Sequence, residues 1–410
     1  MRKIIFALLP LLIECTNVQN KGNDSANTAD GQLVTFHLNA PPSTVEPLLL
    51  SELADSVSYV ALETTKETLT DMAIQCGDRY YTIINEERLL CFDKSGKYLH
   101  QIGTKGNGPE EYPSMSSYRS FIADPVTNWV YCNSREQTQV YDENGKYVKS
   151  IKREKSLDLL PNFVFNDLAY YAPTYTYHPT IEIIDERNNE SVTNNKELIE
   201  KNRTFWTELN NKYGRKDAFG LGSKLIFSSS NDALFCWSVF PDTVIMAKGK
   251  EIKPFCRIIP ENKYKPEDLY DENGKTFLLQ PLICYMHVCE DKILLYVAYY
   301  ISIDDIRAFN RQNEMKCWYW VVCDLKNGSV TYHPYYIIND LDGGPNVLIG
   351  YNFNNNLSVE DLKNDEEIYK SYFTEGVKAQ LKDQDGKFQR LLESLADDAN
   401  PIIRTIHWKK

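Results

Sequence analysis

The chain has 410 residues, with 45 Lys and Arg against 57 Asp and Glu, so its formal charge is −12. That deficit excludes a nucleic-acid binder, which needs a basic face. A hydrophobic share of 42% with 19 Gly and 18 Pro excludes a disordered or collagen-like chain, and 27 Tyr, 17 Phe and 6 Trp favour strands over helices.

Arg2 and Lys3 precede an apolar run from Ile4 to Ile13, interrupted at Pro10. That run is too short to cross about 30 Å of hydrocarbon as a helix, so residues 1–14 read as a secretion signal. Cys15, after Leu12-Ile13-Glu14, resembles the cysteine of a bacterial lipobox, with Glu14 where that motif carries a small residue. The resemblance implies a mature chain that begins at lipid-modified Cys15, meets the membrane only through that anchor, and resides at the outer membrane or cell envelope, facing the periplasm or the surface. Residues 15–31 are polar and Asn-rich, as a flexible tether would be, and residues 32–410 are left for one folded domain.

Internal repetition points to the fold. Leu90-Cys91-Phe92-Asp93-Lys94-Ser95-Gly96-Lys97-Tyr98-Leu99 returns 49 residues later as Gln139-Val140-Tyr141-Asp142-Glu143-Asn144-Gly145-Lys146-Tyr147-Val148. Each copy reads as strand, tight turn and returning strand, because Ser-Gly and Asn-Gly supply the positive φ of hairpin turns. A weaker copy runs from Val321 to Val330, and Tyr270–Lys275 repeats Tyr141–Lys146 residue for residue as a turn. A strand-filled period of 49 is one four-stranded propeller blade, and six such blades fit once residues 186–221 and 340–395 are set aside as insertions. The second insertion carries a capping box at Ser358-Val359-Glu360-Asp361 and a helical spacing of Phe388, Leu391, Leu392 and Leu395, so the expected fold is all-β, a six-bladed β-propeller with a short helical insertion near the C-terminus. Ile402–Trp408 is expected to close the ring by pairing near Leu33–Leu38, leaving no sheet edge open.

Ile102-Gly103-Thr104-Lys105-Gly106-Asn107-Gly108-Pro109-Glu110-Glu111-Tyr112, then Ala123-Asp124-Pro125 and Trp129-Val130-Tyr131, resembles an NHL-type propeller repeat. With Asp55–Thr65, Asp340–Pro345 and Asp398–Ile403, the chain is similar to the uncharacterised six-bladed β-propeller lipoproteins of Bacteroides-type bacteria. The resemblance implies fold and export; it carries no activity with it.

The cysteines at 76, 91, 132, 236, 256, 284, 289, 317 and 323 form no CxxC and sit mostly in apolar strands, so buried free thiols are expected. Gly103, Gly106 and Gly108 precede Pro109 and no helix, which suits a structural connector rather than a phosphate loop. The six histidines form no HxxxH pair, and no Gly-x-Ser-x-Gly elbow occurs, so no catalytic residue is nominated. Ligand contacts are expected at the channel mouth from Glu110 and Tyr112 of the connector, from Arg119 where an inner strand begins, and from Asp340 and Asp342 of the Gly-Gly-Pro loop. Two function classes follow. A monomeric, non-catalytic scaffold recognising a glycan, peptide or envelope protein is expected, with no cofactor; the alternative is a lactonase-like hydrolase or lyase holding a divalent ion such as calcium in the central channel.

Overall fold

Short apolar stretches cut by Gly, Asn and Asp dictate antiparallel strands joined by tight turns, and the computed structural model is built that way. It describes residues 33–152 apart from 71–72, 86, 114, 116–119 and 134–136; 161–193 apart from 173–180 and 186–189; 226–262 apart from 231 and 239–241; 281–299 apart from 290; 318–348 apart from 343 and 345; and 400–409 apart from 401, with isolated positions between.

Among the described residues, five sheets follow one another, each built on four antiparallel strands in chain order. The first comprises Ile74–Cys76, Arg79–Ile84, Arg88–Phe92 and Tyr98–Ile102; the second Phe121–Ala123, Val130–Asn133, Gln137–Tyr141 and Tyr147–Lys152. The third contains Phe163–Phe165, Leu168–Tyr171, Glu182–Asp185 and Glu190–Thr193, and the fourth Ile226–Ser230, Ala233–Trp237, Thr243–Lys248 and Glu251–Pro260. Leu282–Val288, Lys292–Ala298, Trp318–Asp324 and Val330–Pro334 make the fifth.

The sequence repeats are equivalent pieces of neighbouring sheets. Leu90 and Gln139 both lie on third strands, and the ladder to the fourth strand slips at the same point in each, between Cys91 and Phe92 and between Val140 and Tyr141. In both turns, and in the weaker copy, an aspartate organises the backbone. Asp93 Oδ1 accepts the N–H groups of Ser95 and Lys97, Asp142 Oδ1 those of Asn144 and Lys146, and Asp324 Oδ1 those of Lys326 and Asn327. The glycines that follow, Gly96, Gly145 and Gly328, take φ of 84°, 77° and 73°, a region costly for residues with a Cβ. The identical hexapeptide Tyr270–Lys275 lies outside the described residues.

The C-terminal strand pairs with the N-terminal part of the chain, but not with the segment the sequence suggested. Ile402–Trp408 runs antiparallel to Ala54–Ala61, with Ile402 opposite Ala61 and Thr405 opposite Ser58. Thr35–Leu38 instead lies parallel to Glu251–Pro260 as a fifth strand on the outer edge of the fourth sheet. The reason is a matched apolar face: Phe36 and Leu38 are fully buried with Trp237, Val244 and Ile258, while His37 points outward. Between these strands, Leu48–Leu49 pairs in parallel with Tyr336–Ile338, which also pairs with Val347–Leu348.

Strand alternation sends successive side chains to opposite faces, and each hydrophobic cluster joins neighbouring sheets. Tyr81, Leu89 and Cys91 meet Phe121, Val130 and Tyr141 of the second sheet. Tyr131 and Val140 face Val164 and Tyr171 of the third, whose Phe163, Tyr170 and Ile183 face Leu234 and Cys236 of the fourth. Phe235 and Trp237 pack against Ile293 and Leu295 of the fifth, and Leu294, Trp320 and Val322 pack against Ile406 of the terminal strand. Ile403 then meets Tyr80, Leu90 and Phe92, the opposite face of the first sheet. Fully burying each such side chain contributes roughly 1.5–3 kcal/mol.

Of the helical run expected from Phe388 to Leu395, Arg390 and Leu391 are helical; Phe388, Leu392 and the capping box at Ser358 lie outside the described residues. All eight cysteines described are free thiols, and Cys91, Cys132, Cys236, Cys256 and Cys323 are buried, where desolvation raises their pKa values. No helix among the described residues is long and apolar enough to cross a membrane.

Candidate functional site

The connector between the first and second sheets is held from below by two polar residues. Gln139 and Tyr141 stand where the first repeat has Leu90 and Phe92. Gln139 Nε2 donates to the carbonyl of Pro109 at 3.0 Å, and the Tyr141 hydroxyl donates to that of Glu110 at 2.9 Å. The connector folds back on itself as well: Tyr112 N–H donates to Thr104 O and Gly106 N–H to Tyr112 O. Glu111 Oε2 accepts the Gly108 N–H at 2.8 Å, and a Cβ at Gly106 would overlap that carboxylate, so the turn and the acid fit only together.

The outcome is a cleft of about 410 Å³, lined by Gly103, Thr104 and Gly108–Glu111 of the connector and by Tyr141, Gly145 and Tyr147 of the second sheet. Tyr147 belongs to Tyr147–Lys152, the edge strand of the second sheet. Tyr141 touches Tyr147 and Tyr112 edge-on, each at 6.2 Å between ring centroids.

Of the residues expected to meet a ligand, Glu110 is exposed on the rim of this cleft. Tyr112 is not available. Its ring is fully buried, its hydroxyl accepts from Leu89 N–H and donates to Glu87 O, and burial pushes its pKa up to about 12. A Gly-rich connector needs an apolar anchor to keep its path, and Tyr112 supplies it. Arg119 and Cys15 lie outside the described residues.

Asp340 and Asp342 brace the N-terminal segment. Asp340 accepts the backbone N–H of Ser51 at 2.8 Å and its hydroxyl at 2.6 Å. Asp342 Oδ1 accepts from Asn339 Nδ2 at 2.6 Å, Gly344 N–H at 3.0 Å and the Tyr59 hydroxyl at 3.4 Å. Burial raises the Tyr59 pKa, with the nearby Arg404 guanidinium opposing that shift. Arg404 is itself fully buried on the terminal strand and donates two N–H groups to Asn346 O, each at 3.3 Å. This cluster ties the two ends of the chain together, and among the described residues no group of three or more His, Cys, Asp or Glu is placed to hold a metal ion.

The sequence singled out none of Gln139, Tyr141 and Tyr147 as part of a site. A signal was present for two of them: Gln139 and Tyr141 put polar atoms where Leu90 and Phe92 of the repeat have none.

Successive four-stranded up-and-down sheets packed face to face are of the propeller type. Among solved structures, a "Putative exported protein" from Bacteroides fragilis aligns over 92% of this chain and 100% of its own, at 16% identity and a TM-score of 0.55, a likeness of fold. PorZ, a surface component of the type-IX secretion system of Porphyromonas gingivalis, aligns over 68% of this chain and 30% of its own, at 11% identity and a TM-score of 0.34. The C-terminal WD40 domain of Sif2 aligns over 65% and 59%, at 12% identity and a TM-score of 0.32. No curated protein matches the chain. The family model described as a domain of unknown function, DUF4934, matches residues 33–407, and the chain belongs to that family.

Proposed function

We propose that this protein is an exported, lipid-anchored envelope protein whose propeller binds a glycan, a peptide or another envelope protein without transforming it. Residues 1–14 direct export, Cys15 carries the lipid, residues 15–31 form the tether, and residues 32–410 form six NHL-like blades that act as a monomer. Five sheets and the terminal pair make the six blades, and the cyclic order of their packing clusters supports a closed ring. The similarity to an exported Bacteroides protein supports the cellular address.

The observation that carries binding is the preformed cleft beside Glu110, whose floor is fixed by Gln139 and Tyr141. Loops set rigidly on a sheet scaffold are where recognition concentrates, since little ordering entropy is left to lose on binding. The test is a glycan and peptide array probed with the full chain in detergent. Binding of at least one class, weakened by Glu110→Ala at unchanged thermal midpoint, supports this reading. Silence of every class, or turnover of a ligand that depends on a stoichiometric divalent ion, overturns it.

A further inference from the structure

We propose that the outer edge of the second sheet, at residues 150–152, takes an extended strand of a partner protein in which apolar residues alternate with acidic ones. None of these three residues lines the cleft beside Glu110, so the inference goes beyond that reading and does not rest on it. Three observations carry it.

The first is a strand already added at the equivalent place on another sheet. The ladder between the third and outer strands of the fourth sheet slips between Val244 and Ile245, as that of the second sheet slips between Val140 and Tyr141. Beyond the slip, the outer strand of the fourth sheet carries Thr35–Leu38 in parallel, with Thr35 opposite Arg257, Phe36 opposite Ile258 and His37 opposite Ile259. Counted from the slip, these three partners correspond to Ser150, Ile151 and Lys152 of the second sheet, which lie opposite Gln139, Thr138 and Gln137. Among the described residues no strand pairs with their outer side, where an edge strand presents a row of backbone donors and acceptors.

The second is what the added strand does for the core. Phe36 and Leu38 are fully buried in the cluster shared by the fourth and fifth sheets, alongside Ile258. Ile151 stands at the place of Ile258, yet it is only half-buried, at the margin of the cluster shared by the second and third sheets, as is Ile184. Partners directly opposite one another in a ladder share a face, so an apolar side chain opposite Ile151 extends this cluster as Phe36 extends the other.

The third is charge. In a chain of formal charge −12, the stretch 146–153 holds Lys146, Lys149, Lys152 and Arg153 and no acidic residue. A second copy offering the same strand brings lysines together and is disfavoured, whereas an acidic residue opposite Lys152 is favoured. The outer strand of the third sheet, Glu190–Thr193, has no lysine, and that of the fifth is already lined by the chain, with the Asn39 and Glu46 carbonyls accepting from Tyr332 and His333. The second sheet alone combines the slip, the half-buried isoleucine and the basic stretch.

The test uses the full chain in detergent and the capped hexapeptide Ser-Thr-Phe-Glu-Leu-Glu, which keeps the Phe and Leu of Thr35–Leu38 and sets a glutamate opposite Lys152. A control peptide carries lysine for both glutamates. Titration by calorimetry, with amide exchange of the bound chain, should show protection gained at Tyr147–Lys152 and an affinity about fivefold weaker for the lysine peptide. Lys152→Glu should cost the glutamate peptide a similar factor at an unchanged thermal midpoint. A second measurement needs no variant: of two glutamate peptides N-methylated at alternate residues, one set on each edge, only one should lose binding, because an added strand is bonded along a single edge. No binding of the glutamate peptide, equal affinity for the two charges, no effect of Lys152→Glu, loss from both N-methylated sets or from neither, or protection gained at Glu251–Pro260 instead overturns the proposal. Glu110→Ala should leave the peptide bound; its loss there moves the peptide to the cleft and overturns this surface alone. Silence of the array with the peptide still bound removes the cleft function and leaves this edge standing.

Discussion

Gly145 gives its carbonyl oxygen to the N–H of Gly103 at 2.9 Å, so the outer turn of the second sheet is bonded to the residue that leaves the fourth strand of the first. The same relation recurs one sheet earlier. Gly96 O accepts the N–H of Glu63 at 2.8 Å, and Glu63 follows the strand Ala54–Ala61. Ala54–Ala61 therefore stands to the first sheet as Tyr98–Ile102 stands to the second, and it pairs with Ile402–Trp408. The proposed ring rests on this equivalence.

The latch can be weighed by comparing two glycines of similar φ. Gly145→Ala meets both a positive φ of 77° and the Gln101 carbonyl, whereas Gly328→Ala, at 73°, meets nothing within 4 Å. Both should destabilise, Gly328→Ala by about 1 kcal/mol and Gly145→Ala by about 2–3 kcal/mol. Urea unfolding of the two variants checks the difference; equal losses would mean that the inter-sheet contact contributes nothing.

His287 makes stability depend on pH. It is 2% exposed, its ring stacks near Tyr285 and packs 4.7 Å from Trp408 of the terminal strand, and burial lowers its pKa from 6.5 to about 4. The folded value lies below the unfolded one, so the unfolded chain takes up the proton first. The stability is complete above pH 6.5 and is lost as pH falls from 6.5 towards 4, by on the order of 3 kcal/mol in full. Thermal midpoints recorded across that window should fall less for His287→Phe than for the parent chain; parallel curves would remove His287 from the explanation.

Arg404→Met should be costly through the carbonyl it leaves behind. Asn346 O would lose two donors in a site with no exposure, and the half-buried cluster with Tyr59 and Asp342 would lose its cation. A loss of about 3 kcal/mol is expected, read as a lower urea midpoint at constant slope. A variant as stable as the parent would show that the chain ends are held by strand pairing alone.

The lipid anchor is tested apart from the fold. Cys15→Ala should move the protein from the detergent phase to the aqueous phase and from the membrane pellet to the supernatant, because an acidic chain gains nothing from an anionic leaflet. Unchanged partitioning would exclude lipidation at Cys15.

Much of the architecture was legible because hairpin turns are written in local chemistry. Asp93 and Asp142, each three residues before a glycine, mark turns that no other residue pattern would satisfy as well, and the spacing between them carries the period. Strand partners were not legible. Thr35–Leu38 and Ala54–Ala61 both alternate polar with apolar side chains over part of their length, and alternation says which side chains share a face but not which sheet that face meets. The candidate site was half visible for a similar reason. Composition marked the connector as a loop, so Tyr112 was expected in solvent, but a loop of glycines needs one side chain to pin it, and that choice is made by packing. Asp340 and Asp342 were expected to face a ligand, whereas Ser51, distant in sequence, occupies both oxygens of Asp340, and Asn339 and Tyr59 bond to one oxygen of Asp342.

Ring closure is the claim on which the position of every loop depends, and hydrogen exchange measures it most directly. Amide exchange should be followed peptide by peptide in the full chain and in a chain ending at Asn400. Closure predicts that Ala54–Ala61 is protected in the full chain and exchanges freely in the shortened one, with weakened protection of Arg88–Phe92, against which Ile403 packs. Retained protection of Ala54–Ala61 without its partner strand would contradict it.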